Sequence, residues 1–174
     1  PRDVPAEIIA GALERKVLPS ENVERLVASN MQDTTNGDLK WALEFTKNEY
    51  DAIDAYCKMK NVLWFASPWD EASVDFLEQF NPPAYKIASG DLKSIPLLKH
   101  VAKLGKPMIV STGGGSMDDV QRAYDVIMPI NPRVCLLQCT CGYPADFAEL
   151  DLRVISTFRE KFPARCFDVG MAEQ

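Results

Sequence analysis

A lysine stands inside a short apolar run at residues 84–91, AYKIASGD, and Ser89, Gly90 and Asp91 follow it at once. An ammonium group that leaves bulk water must either meet an anion or keep a route to solvent. Three other apolar runs also end in small or hydroxyl residues. Ser67 closes NVLWFAS (61–67), Ser111 and Thr112 close PMIVST (107–112), and Thr140 closes VCLLQCT (134–140), with Cys141 next. Hydroxyls and loop amides gathered beside one lysine offer several donors to a phosphate or carboxylate. By strand alternation Lys86 and Ala88 share a face, so Ser89 joins Lys86 where the chain leaves the strand, a break that Gly90 suits. Two plainer assignments stay open on these residues alone: Lys86 could snorkel to water along its aliphatic stem, and each serine taken singly could be a helix cap.

The elements that must position these groups follow a rhythm from about residue 61. The four apolar runs have the composition of buried parallel strands. Helical patterns separate them at 70–80, 95–105 and 116–128, and another follows at 150–162. One strand plus one helix takes roughly 22–27 residues, the size of a compact βα unit. The expected fold class is therefore α/β, with parallel strands alternating with helices. Ser116 followed by Asp119 marks a helix start resembling a capping box, while Gly105 and Pro107 end the preceding helix. Residues 1–45 form an irregular or helical N-terminal segment, 46–163 carry the βα units, beginning with a helix at 46–60, and 164–174 form a divergent tail.

Composition narrows the function. The 174 residues are 47% hydrophobic and 25% charged, enough for one sizeable core, and 19 basic against 25 acidic residues give a net charge of −6. No Lys/Arg cluster stands out, which argues against a nucleic-acid partner and against an acidic membrane surface. No apolar run approaches the roughly 18 residues of a membrane span, and PRDVPAEIIAG lacks a basic segment followed by an apolar signal core. A cytoplasmic protein is expected. Five cysteines, odd in number and mostly set in strand-like runs, point to reduced thiols. The C-x-C pair Cys139 and Cys141 has no second pair or histidine nearby, so buried thiols are favoured over a metal site. TGGGSMDD lacks the order of a nucleotide loop and suits a tight strand-to-helix turn.

YKIASGD, KPMIVSTG, LLQCTCGYP and LDLRVISTFREKFP, in this order and spacing, resemble the sialic acid synthase family, over about Leu43 to Pro163. The resemblance implies condensation of phosphoenolpyruvate with an N-acylmannosamine or its 6-phosphate, on a (β/α)8 TIM barrel. It places Lys86, Ser89 and Ser111 on phosphoenolpyruvate, with Ser67 replacing another hydroxyl contact ahead of Pro68. Asp91 falls where an acidic residue handles protons or positions water, and Tyr143 falls at a sugar-side contact. Cys141 stands where the family has asparagine or serine, which weakens the hydrogen bond on the phosphate side. Asp91 and Gln138 are closer to the animal enzymes that use the 6-phosphate sugar than to bacterial members.

The resemblance also implies a divalent metal, Mn2+ or Mg2+, held by two histidines. This chain has one histidine, His100, in a helical pattern away from the strand ends, which suits a surface or helix-packing residue better than a ligand. A whole barrel of this type needs about 250 residues. The expectation is an incomplete barrel holding central strands three to six, inactive alone. Open strand edges would favour self-association, a homodimer being the simplest form. Two alternatives stand beside it: a related phosphoenolpyruvate-dependent nonulosonate synthase using another sugar, and a non-catalytic fragment serving as an anion-binding or interaction module.

Overall fold

The computed structural model describes residues 45–141, 145–162 and 166–173. Two compact units divide at Val62/Leu63. In the first, helix α1 (Lys47–Lys60) starts at Thr46, whose backbone N–H and hydroxyl both donate to the buried Glu49 carboxylate at 2.6 and 2.8 Å. That exchange satisfies polar groups a helix start leaves free. The helix stops at Asn61, which takes the left-handed conformation (φ 54°).

The second unit continues with α2 (Glu71–Glu78), β1 (Tyr85–Ile87), a 3-10 turn (Ser89–Asp91), α3 (Ile95–Lys103) and β2 (Met108–Ser111). Then come α4 (Met117–Ile127), β3 (Val134–Thr140), a second 3-10 turn (Phe147–Glu149), α5 (Arg153–Lys161) and β4 (Cys166–Glu173). Side chains at the starts act as capping groups. Asp70 accepts from the Ser73 N–H at 2.7 Å, and Ser116 and Asp119 exchange the bonds of a capping box. Gly105, at φ 68°, closes the stretch after α3 in a conformation that a residue with a Cβ resists.

The strands form one parallel sheet in the order β1-β2-β3-β4. Strand neighbours that follow chain order are joined by helical crossovers on one side. Consistent with this, α2 packs on α3, α3 on α4, and α5 on β3 and β4. The Tyr124 and Phe162 rings, 4.5 Å apart, tie α4 to the end of α5. The register Tyr85↔Met108↔Val134 and Ile87↔Val110↔Leu136 sets six fully buried side chains on one face. Its neighbour Lys86↔Ile109↔Cys135 lies on the opposite face, where all three are half-buried. The core therefore sits on one side of the sheet, and Lys86 belongs to the other.

Two sequence expectations are corrected here. NVLWFAS forms no strand: residues 62–68 have no ladder, Leu63 is 81% exposed, and only Trp64 stacks inward, 5.6 Å from Phe80. An apolar run suggests a strand, but a strand requires backbone partners, and among the described residues β1 pairs only with β2. Conversely the tail, for which no element was expected, supplies β4, parallel to β3 with a register shift between Val134 and Leu136. Residues 1–44 lie outside the described residues. Among the described residues no helix is long and apolar enough to cross a membrane.

Candidate functional site

The candidate residues gather where β1, β2 and β3 end. β1 breaks at Ala88 into the 3-10 turn, which presents Ser89 beside the turn following β2. There the Gly113 N–H donates to Ser89 Oγ at 3.1 Å. A Cβ on Gly113 would stand 2.9 Å from Ser89 Oγ, 2.8 Å from Cys141 Sγ and 3.1 Å from Cys139 Cβ, so a side chain there would displace its neighbours. Glycine thus lets the three side chains approach the turn closely. Gly90, by contrast, has open space around its missing Cβ, so the break after β1 does not depend on it.

Lys86 lies on the half-buried sheet face, and among the described residues no carboxylate pairs with it. Burial holds its ammonium below the ordinary lysine range, and the Cys139 sulfur acts more weakly in the opposite direction. Ser111 is wholly buried and its Oγ has no hydrogen-bond partner. It pairs in register with Leu137, and one step beyond Ile87↔Val110 it falls beside Ala88, hence on the Lys86 face. Its neighbour Thr112 is satisfied, donating to Leu137 O at 2.9 Å. Asp91, in the 3-10 turn, has one buried oxygen without a partner, and burial raises its carboxyl above the ordinary aspartate range.

Two buried oxygens without protein partners, Ser111 Oγ on β2 and one of Asp91 on the adjoining turn, together with the half-buried Lys86 ammonium, leave this end of the sheet ready to receive a polar ligand. Lys86 and Ser111 share one sheet face; Ser89 and Cys141 meet at Gly113. Ser67 is half-buried ahead of the buried Pro68, and the contacts joining Ser89, Gly113 and Cys141 do not include it. Tyr143 lies outside the described residues. Cys141 is a correction to the expectation of buried thiols: it is exposed, one residue past β3, whereas Cys139 is buried. Strand propensity extends through QCT and says nothing of the residue that leaves the ladder. Cys139, whose Cβ closes the space at Gly113, is a site residue the sequence reading did not name, although alternation in VCLLQCT sets it on the face of Leu137.

His100 sits on α3 and pairs with Asp75 of α2 at 2.7 Å, a helix-surface role. Among the described residues no group of three or more His, Cys, Asp or Glu side chains could hold a metal ion. The described residues thus assemble no ligand set for the Mn2+ or Mg2+ that the resemblance implies.

A singly wound parallel sheet whose unsatisfied polar groups collect at the strand ends defines an α/β protein with a ligand site in the usual place for that class. The particular family is settled by comparison: residues 13–172 match the NeuB family, and the chain belongs to it. It is 40% identical to human N-acetylneuraminate-9-phosphate synthase over 129 residues, covering 74% of this chain and 36% of that protein. The Drosophila melanogaster N-acetylneuraminate-9-phosphate synthase is 35% identical over 162 residues, covering 92% of this chain and 41% of that protein. The crystal structure of the Bacillus subtilis spore coat polysaccharide biosynthesis protein spsE superposes with a TM-score of 0.71 at 32% identity, over 83% of this chain and 40% of that one. The chain thus spans 36–41% of the length of these two synthase relatives.

Proposed function

We propose that this chain carries the phosphoenolpyruvate-binding part of a sialic acid synthase, with its sheet an arc of a (β/α)8 barrel and the Lys86 face turned to the barrel interior. In the reaction, C3 of phosphoenolpyruvate attacks the open-chain aldehyde of N-acetylmannosamine or its 6-phosphate, water adds at C2, and phosphate leaves. Lys86 supplies a compact positive charge to the phosphate or carboxylate, suited to it as three donors on one nitrogen. Ser111 and Ser89 offer hydroxyl donors, the latter already oriented by the Gly113 N–H. Asp91, whose buried carboxyl holds its proton more firmly than a free one, is placed to pass that proton or to position water. No step is assigned to Mn2+ or Mg2+, because the described residues do not assemble its ligands.

The observation that carries this reading is the half-buried Lys86 without a carboxylate, on the same face as the buried, unpartnered Ser111. A snorkelling lysine explains the first but leaves the second without cause. The test separates binding from turnover. Phosphoenolpyruvate is expected to bind the 174-residue chain, and its Lys86→Ala variant about tenfold or more weakly. Phosphate release with either sugar and Mn2+ is expected to be the same for both. Equal phosphoenolpyruvate affinity in the two would overturn the site, and acceptor-dependent release above the variant would overturn the assignment of a partial site.

A further inference from the structure

We propose that Cys141 is a covalent-modification site through which a small-molecule disulfide closes the anion pocket at Gly113 and Ser89. The inference rests on the reading of that pocket as an anion site, and extends it to regulation.

Four cysteines are described, and all are free thiols. Cys57 and Cys139 are buried and Cys135 is half-buried, while Cys141 is exposed. Burial and the neighbouring Asp54 carboxylate raise the Cys57 thiol, which disfavours its reactive thiolate. Access therefore selects Cys141. Its sulfur is not at an arbitrary surface point: the room above Gly113 is so narrow that one added carbon would lie 2.8 Å from Cys141 Sγ and 2.9 Å from Ser89 Oγ. A substituent on that sulfur has no space toward the glycine. With the sulfur held where it is, the substituent stands beside the Gly113 turn and the Ser89 hydroxyl, where an anion would meet them.

The pocket is marked as a ligand site independently of the thiol. Ser111 is wholly buried with an unpartnered Oγ, in register with Leu137, two residues before Cys139 on the same face. Cys139 in turn meets Gly113 from the strand side, 3.1 Å from the same added carbon, so Cys139, Ser89 and Cys141 surround the Gly113 turn, and Ser111 lies on the same sheet face two residues before that glycine. The chemistry is thiol–disulfide exchange. The Cys141 thiolate attacks one sulfur of the small disulfide, a new S–S bond forms as the old one breaks, and the departing thiolate takes up the proton that Cys141 lost. A reducing thiol reverses it with the same balance.

The experiment treats the protein with oxidised glutathione, maps the adduct by mass spectrometry, and titrates phosphoenolpyruvate before treatment, after it, and after dithiothreitol. The adduct is expected on Cys141, with affinity weakened by about tenfold or more, restored on reduction. Saturating phosphoenolpyruvate is expected to slow the labelling of Cys141. In Cys141→Ser, treatment should leave that variant's own affinity where it was. An adduct on Cys141 with unchanged affinity, an equal loss in treated Cys141→Ser, or labelling elsewhere with Cys141 unreacted would each overturn the inference while leaving the site reading intact. A reduced protein with no affinity for phosphoenolpyruvate would instead overturn the site reading, and this inference with it.

Discussion

The two ends of the sheet each carry a buried tyrosine or serine and a lysine, and they treat them in opposite ways. At the end where the strands begin, Tyr85 donates to Glu78 at 2.7 Å and Lys106 pairs with the same carboxylate at 2.6 Å. Asn131 donates to Lys106 O at 2.7 Å and accepts from the Arg133 N–H at 3.0 Å. Burial pushes Glu78 up, yet the hydrogen bonds from Lys106 and Tyr85 and the Lys106 charge outweigh it and hold the carboxyl low. At the end where the strands finish, Lys86 has no carboxylate among the described residues, and Ser111 and Asp91 keep unpartnered oxygens. A fold that satisfies polar groups at one end and leaves them open at the other has spent stability at the second end for binding.

Removing one charged group from each end gives the sharpest contrast. Lys86→Ala is expected to weaken phosphoenolpyruvate binding by about 1.5–3 kcal/mol, the scale of a charge-assisted hydrogen bond, with little loss of stability. Lys86→Arg should not restore it fully, since a planar fork needs different space. Glu78→Ala at the other end should do the reverse, lowering stability by about 1–2 kcal/mol as the Tyr85 hydroxyl loses its acceptor, with binding retained. Calorimetric titration and thermal unfolding of the variants measure both. If Lys86→Ala lost stability and kept affinity, the two ends would not differ as described.

Ser116→Ala, in the turn that leads from Gly113 into α4, should cost about 1 kcal/mol of stability through the lost cap, read from denaturant unfolding. Asp91 gives the smallest effect and a sign that can be checked. Its carboxyl is raised, so in the pH range just above the ordinary aspartate value the native state binds more protons than the unfolded one, and stability falls as pH rises through it. Asp91→Asn should flatten that slope. Unfolding curves across acid pH that superimpose for the two proteins would contradict the buried, unpartnered carboxyl.

How much of this was legible in the sequence depended on whether the signal was local. VCLLQCT forms β3 over those same residues, and Ser116 with Asp119 forms the capping box, because strand composition and caps are encoded within a few positions. NVLWFAS failed because pairing is a property of two segments, and its apolar residues found neither a ladder nor burial, Val62, Leu63 and Phe65 all being exposed. In the site, strand-end hydroxyls and the lysine marked the region. What they could not show was that Gly113 would bring Ser89 and Cys141 into contact across 24 and 28 positions of chain, since such close approach is set by the turn geometry of two strands at once. The exposure of Cys141 has the same origin, for the ladder ends one residue before it.

The central claim is that Lys86 is a cation held partly out of water for an anion to meet, and its own titration tests this most directly. With the lysine side chains isotopically labelled, the Lys86 signal followed by NMR across alkaline pH is expected to titrate below the ordinary lysine value of about 10.4 in the free protein. Saturating phosphoenolpyruvate should move that titration upward, because a neighbouring negative charge favours the ammonium, so that binding takes up protons in the window between the two values. A Lys86 titration that phosphoenolpyruvate leaves unmoved would contradict the account.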